Sequence, residues 1–360
     1  MNAKLKVPSY EGTIDNLEIY GYYGCKYPYK GINSKIIRFL AKTFKKQATK
    51  IGLKRIFKLY SKIGIDLFCV PINGLIPIIQ TKSGFIDEMG REFKIYKDPK
   101  YNIETIYYTN GVFKTFEDYK QFPKPKADAP LKKYIFNISK KLERKYNVFA
   151  GFLVLGVFES VWQSFGLENF VRLSDYEKKK IIKKRGVYLL DQIIQIAKWN
   201  DFKKGIIFIS DDYGYKNGLF MNPEFYREYI IPSIRSACYM AHIYNLKVIM
   251  HSCGDIYEIF DDLVKAGIDA IHPIEPTTAN PDYDIFKLHE KYGDKICFIG
   301  NVSPQDLAEK EPEYIYNYTM KLLEELYPNL ILSSGHSINP AVKLDNFLAM
   351  RKALEDYNQK

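Results

Sequence analysis

From residue 149 onward, apolar runs alternate with stretches of helical periodicity. The runs are FAGFLVLGVF (149–158), GIIFISDD (205–212), KVIMHSC (247–253), IDAIHPIEP (268–276), KICFIGNV (295–302) and LILSSGHSI (330–338). Each is apolar on both faces over most of its length, which is the pattern of a strand covered on both sides. Between them the polar residues return at helical spacing. SDYEKKKIIKKRGVYLLDQIIQIAKW (174–199) opens on a capping box, Ser174 with Glu177. NPEFYREYIIPSIRSACYMAHIYN (222–245) has Asn222 as N-cap and Pro223 at the first helical position, with a kink expected at Pro232. DIYEIFDDLVKAG, DYDIFKLHEKYG, the stretch SPQDLAEKEPEYIYNYTMKLLEELY and the closing KLDNFLAMRKALEDY read as the remaining helices.

The N-terminal part is less regular. GIDLFCVPI (64–72) is a further buried strand, GFIDEMGREFKI (84–95) a hairpin around Met89-Gly90, and IETIYYTNGVFKTF (103–116) a second hairpin. QFPKPKADAP (121–130) is a proline-rich connection, followed by a helix over 131–145. Strands alternating with helices mean a parallel sheet. Six units after 149 and the strand at 64–72 make seven, and NLEIYGYYG (16–24) is the candidate eighth. The expectation is an α/β chain: a (β/α)8 TIM barrel over 63–360 with an N-terminal helical, basic extension over 1–62. The GxGxxG signal of the rival open sheet is absent.

The polar residues at the strand ends support closure. Asp211 and Asp212 end one run, His251 and Cys253 the next, then come His272 and Glu275, then Asn301, then His336. Groups contributed by successive strand C-termini converge on one face of a barrel, where barrel active sites lie. His251 and Cys253 are two apart and point the same way on a strand end. Zinc accepts imidazole and thiolate, and a catalytic site needs a third protein ligand with one open position. His336 is the first choice for that ligand, with Glu275 and Asp212 as alternatives or as acceptors for an imidazole N–H. Asp211 and Asp212 are paired-carboxylate candidates for acid–base work. If they alternate, one faces the site and the other caps the loop that follows. Glu159 and Trp162 follow the first run and are candidates to line the pocket, with His272 and Asn301; core packing is the rival for Trp162 and His272. His242 and His289 read as structural, and Arg227 as a surface or helix-pairing residue.

The chain has 360 residues, 46% of them hydrophobic, enough for a large core. No long apolar run marks a transmembrane helix, and the first residues lack the apolar core of a secretion signal. Cys25, Cys69, Cys238, Cys253 and Cys297 are dispersed and odd in number, which suits reduced thiols and a cytoplasmic protein. The formal net charge is +11, and residues 35–62 hold ten basic side chains and no acidic one. The preferred reading of this segment is a helix with its solvated face turned outward. No zinc-finger, RRM or KH pattern accompanies the charge, so a nucleic-acid partner is not expected.

ISDD, GLFMNPEFYREYIIP, KVIMHSCGDI, GIDAIHPIEP, YGDKICFIGNVSPQDL and ILSSGHSINPAVKLDNFLAM together resemble the uroporphyrinogen decarboxylase superfamily, which also contains the corrinoid-dependent methyltransferases. The resemblance runs from about Gly64 to Ala353 and is dense after 205. It implies a (β/α)8 barrel. The methylcobamide:thiol methyltransferases hold zinc through His-x-Cys and a later Cys. His251 and Cys253 match the first two, and His336 stands at the third. The Gly-His there resembles the metal-free decarboxylase branch, but the arginine-rich N-terminal segment of the decarboxylases is missing. The resemblance therefore implies a zinc-dependent methyltransferase. It would act on a small methylated substrate or thiol, with a corrinoid protein as partner and a homodimer as candidate assembly. Asp211, Asp212 and Glu275 would orient ligands or move protons. The alternatives are a decarboxylase-like enzyme acting on an acidic tetrapyrrole, or a non-catalytic corrinoid-binding barrel.

Overall fold

The computed structural model describes residues 6–28 and 45–360. Seven parallel strands form a curled sheet: β1 (Leu67–Pro71), β6 (Phe149–Leu155), β7 (Gly205–Ser210), β10 (Leu246–His251), β11 (Ala270–His272), β12 (Cys297–Val302) and β13 (Leu330–Ser334), hydrogen-bonded in that order. The unbroken chain order is what right-handed βα units produce when each strand lies beside the one before it. Helices cover the outside, so both faces of every strand are buried, as the apolar runs require.

The gap between β13 and β1 is filled from the N-terminus. Ser9 bridges Leu332 and Tyr10 bridges Leu67, both in parallel sense. Tyr10 N–H donates to the Leu332 carbonyl at 2.9 Å, and Leu67 N–H to the Ser9 carbonyl at 3.1 Å. This segment takes the eighth position and closes the barrel. The candidate eighth strand, NLEIYGYYG, is instead the helix Leu17–Tyr22, capped by the Asn16 side chain. Asn16 offers the backbone amides of Glu18 and Ile19 an acceptor, which favours a helix start over an extended strand.

Between β1 and β6 the chain builds a separate antiparallel sheet: β2 (Pro77–Gln80), β3 (Gly84–Asp87), β4 (Arg91–Asp98) and β5 (Ile103–Gly111). The hairpin at Met89-Gly90 forms as expected, with Gly90 at φ +88°. Residues 103–111 form one strand paired along β4 rather than a second hairpin. Inserted at the C-terminal end of β1, this sheet reaches the barrel mouth, where Arg91 donates to Gln163 Oε1 at 2.8 Å. A two-residue pair, β8 (Gly214–Tyr215) and β9 (Gly218–Leu219), follows β7.

Inside the barrel a small cluster of Tyr10, Leu67, Cys69, Phe208, Ile249, Ala270 and Ile299 fills the axis. The larger core lies between strands and helices. The helix Lys45–Ile63 belongs to that larger core through Leu53, Phe57, Leu59, Tyr60 and Ile63, while Lys50, Lys54 and Lys58 are exposed. Residues 35–44 of the basic segment lie outside the described residues. The capping box at Ser174 and Glu177 is present. Among the described residues no helix is long and apolar enough to cross a membrane.

Candidate metal centre

The period of two along each strand decides which polar side chains enter the barrel. Phe208 and Ile249 point to the axis, so Ser210 and His251 do as well, and His272 stands level with His251 in the strand register. Past the end of β10, Ser252 turns outward and is fully buried, its hydroxyl accepting the Tyr213 N–H at 2.9 Å. Cys253 turns inward again. Its sulfur lies 3.5 Å from His251 Nε2.

The two aspartates separate by the same rule. Asp212 faces the site: its Oδ1 lies 3.5 Å from His251 Nε2 and accepts the Cys253 N–H at 2.9 Å. Asp211 faces away. It accepts the amides of Phe158 at 3.1 Å and Glu159 at 2.6 Å, and the Tyr213 hydroxyl at 2.9 Å. It thereby caps the helix Val157–Phe165, whose own N-cap residue is Gly156 and offers no side chain. Burial pushes the Asp211 carboxyl up to about 7, against the three donors that pull it down.

Asp212, His251 and Cys253 each offer one donor atom, and these atoms lie within 4.8 Å of one another. Zinc with nitrogen, oxygen and sulfur ligands at their usual bond lengths and tetrahedral angles spaces its donors roughly 3.4–3.6 Å apart. The two 3.5 Å separations around His251 Nε2 match that spacing. Burial pushes the Cys253 thiol far up, and the carboxylates of Asp212, Glu275 and Glu159 push it the same way. A bound dication reverses that balance and makes a thiolate ligand.

His272 completes the arrangement. Its Nδ1 lies 2.7 Å from His251 Nδ1, and it hydrogen-bonds the Ser334 backbone on the other side. Burial pulls both imidazoles below their ordinary value, so both are neutral near pH 7. A neutral His272 that donates to the Ser334 carbonyl presents a bare Nδ1 to His251. His251 then carries its proton on Nδ1 and leaves Nε2 as a free lone pair, the form a metal binds.

Glu275 stands beside the triad, its Oε2 accepting the Gly254 N–H at 2.8 Å. His336 is exposed and lies outside the triad, lining two cavities of about 280 and 530 Å³. The smaller runs into the barrel along Tyr10, Tyr60, Phe68 and Phe208 to His251 and His272. Asn301 is buried with both ends occupied: it donates to the Ile274 carbonyl at 2.8 Å and accepts the Tyr318 hydroxyl at 3.1 Å. Trp162 packs edge-on to Tyr108 and against Phe220.

Glu159 is buried with Oε2 unpartnered, while Oε1 accepts from Gln163 at 2.8 Å. Burial, then Asp212, push its carboxyl up to about 8, with Arg91 opposing. Arg91, Gln163 and Asp87 form the polar wall behind it, and Arg91 Nε meets Asp87 at 2.9 Å. Their sequence signal was weak, because the wall joins segments more than 70 residues apart. Arg227 pairs helices through Asp262 at 2.9 Å, and His242 meets Asp269 at 2.7 Å, both away from the mouth.

Residues 195–357, which hold Asp212, His251, Cys253, Glu275 and His336, match the family model described as Uroporphyrinogen decarboxylase (URO-D). The solved structures similar to the whole chain include a methyltransferase from Methanosarcina mazei, with TM-score 0.68 and 16% identity over 99% of this chain and 95% of that one. A protein from Listeria monocytogenes described as a vitamin-B12-independent methionine synthase aligns at TM-score 0.50 and 12% identity, over 99% of both chains. At such identities the likeness establishes the barrel fold. No curated protein matches the chain in sequence. The matched stretch supplies β7 and β10 to β13, and the residues before it supply β1, β6, the closing segment at Ser9 and Tyr10, and the wall behind Glu159.

Proposed function

We propose that this chain is a methyltransferase that holds zinc at the barrel mouth through His251, Cys253 and Asp212. It would move a methyl group between a small methylated substrate or thiol and the corrinoid of a partner protein. The carrying observation is the triad itself: three donors of the right types within 4.8 Å of one another, two of them 3.5 Å from His251 Nε2, which the His251–His272 contact leaves free. Zinc bound there would supply a Lewis acid that lowers the pKa of a coordinated thiol or polarises the heteroatom bearing the methyl group.

The chain's own residues do the rest. The Cys253 N–H fixes Asp212, and the Gly254 N–H fixes Glu275 at the rim. Glu159, held protonated near neutral pH, can give or take a proton at its unpartnered Oε2. The aromatic cavity below His251 and His272 suits a small, largely apolar group. The corrinoid partner would dock over the open mouth, where His336 is exposed. His336 remains a candidate ligand or a contact for the incoming group.

The test is the metal content of anaerobically purified protein. Wild type should carry about one zinc per chain. Cys253→Ala and Asp212→Asn should lose it, and His336→Ala should retain it if the triad is the whole protein ligand set. Wild type without zinc, even after reconstitution, would remove the metal mechanism. The second reading, metal-free decarboxylation of an acidic tetrapyrrole, draws on the family match. It requires activity that survives Cys253→Ala.

A further inference from the structure

A third cavity, of about 300 Å³, lies outside the barrel mouth between the proline-rich connection and the helix Asp175–Trp199. Arg185 forms part of its wall, Lys124 and Lys184 stand exposed beside it, and Tyr119, Phe122 and Tyr188 supply flat apolar surface. Methyl transfer at the barrel mouth uses none of these residues.

Arg185 is the unusual member. Only 5% of it is exposed. Its terminal nitrogens donate to Met89, one to the carbonyl at 2.9 Å and one to the sulfur at 2.8 Å, and its Nε has no partner. Two neighbouring buried cations each have their own acid: Lys132 meets Glu88 at 2.9 Å, and Arg91 meets Asp87 at 2.9 Å. Among the described residues no carboxylate lies within ion-pair distance of Arg185. A guanidinium does not discharge in a protein, and Asp87, the carboxylate that acts on Arg185, does so from beyond ion-pair distance and is already paired with Arg91, so the buried charge is only weakly countered, which is costly. The cost rises with company. Burial pushes the Lys124 ammonium down, and Lys184 and Arg185 push it the same way. Asp191 is the one acid on the cavity wall.

The missing element is a negative charge, and the wall says what should carry it. The Arg185 guanidinium sits over the Tyr119 ring at 5.6 Å, and the Lys124 ammonium lies 4.3 Å from the same ring centre. We propose that this cavity is a binding site for a small organic anion, a carboxylate or phosphate carried on one flat ring. The charged group would lie against Arg185, Lys124 and Lys184, and the ring against Phe122 and Tyr188. The volume stands at the small end for ligand pockets, which suits a single ring.

Phenyl phosphate, benzoate, inorganic phosphate and the uncharged benzyl alcohol are the probes, titrated calorimetrically into the full-length protein as purified. Saturable binding of phenyl phosphate or benzoate is expected, weaker at high salt, with benzyl alcohol not binding. Because Arg185 packs against Met89, the two exposed lysines carry the test. Lys124→Glu with Lys184→Glu should weaken binding about tenfold or more, with the melting temperature and zinc content unchanged. No saturable binding of the ring anions, or binding undiminished in the double variant, would overturn the proposal. Inorganic phosphate binding as tightly as phenyl phosphate would overturn the role of the ring. Zinc content reports separately on the barrel mouth, so failure here leaves methyl transfer untouched.

Discussion

At the scale of single residues, the two histidines at the mouth have different work. His251 gives Nε2 to the triad, and His272 sets which of its nitrogens carries the proton. Residues that orient a metal-bound imidazole typically contribute 10–100-fold in affinity. His272→Ala should therefore weaken zinc binding by about that factor in a chelator competition, while His272→Gln, which keeps an acceptor for the His251 N–H, should recover part of it. Equal affinity in wild type and His272→Ala would remove the orienting role. A second residue reports on pH. Glu11 is buried under Ser334, accepting its hydroxyl at 2.6 Å and its N–H at 3.1 Å. Burial pushes its carboxyl up from 4.5 to about 7, with Ser334 and Arg351 opposing. The folded chain keeps that proton between those values and the unfolded chain loses it. Stability contributed by this group is full below about pH 4.5 and is lost as pH rises through about 7. Wild type should lose melting temperature relative to Glu11→Gln across that window, and parallel curves would refute the assignment.

At the scale of elements, the helix Val157–Phe165 is begun by a residue from another strand. Asp211, at the end of β7, satisfies the Phe158 and Glu159 amides. Gly156 leaves room for it: a Cβ there would come within 2.2 Å of Asp211. Asp211→Ala should destabilise the fold by about 1–3 kcal/mol, and Gly156→Ala by about 1–3 kcal/mol, both read by urea titration. Zinc content should stay at the wild-type level in both, which separates Asp211 from its neighbour Asp212. The long helix after Asn222 begins as its sequence suggests, with Asn222 accepting the Phe225 N–H. Pro232 cannot donate to the preceding turn, and the helix there passes through a π-turn over Tyr226–Ile230 before resuming at Ile231–Ile243.

At the scale of the whole molecule, closure depends on a segment of few residues. Ser9 and Tyr10 bridge the last strand to the first, and Val7, Tyr10 and Ile14 are buried. Without them β1 and β13 become open edges, and three apolar side chains lose their burial, each worth about 1.5–3 kcal/mol. Deleting residues 1–14 should lower the melting temperature steeply and give soluble aggregates on size exclusion. An intact monomer-like elution profile with an unchanged melt would show that seven strands suffice. The same segment carries Glu11 to Ser334 and places Tyr10 edge-on to His272 at 5.2 Å, so the closing strand also supports the candidate site at the barrel mouth.

Much of this was legible along the chain. Seven strands, the capping box at Ser174, the helix start at Asn222 and the inward pairing of His251 with Cys253 all follow from periodicity and local hydrogen bonding, which act over a few residues. The division of labour between Asp211 and Asp212 was legible as an alternation, though not which of them would face inward. Other features had no local signal. The eighth position went to a short run around Ser9 because its partners, Leu67 and Leu332, lie far away in sequence. Asp212 rather than His336 stands beside His251 and Cys253 because β7 is hydrogen-bonded to β10, whereas β13 lies farther round the barrel. Arg91 reaches Gln163 only because the inserted sheet folds over the mouth. Local periodicity along the chain set most of the elements and the alternation of neighbouring polar residues between strand faces, while 16–24 became a helix and 103–111 a single strand against their patterns. Tertiary structure decided which of those residues meet, since that depends on strand order and closure.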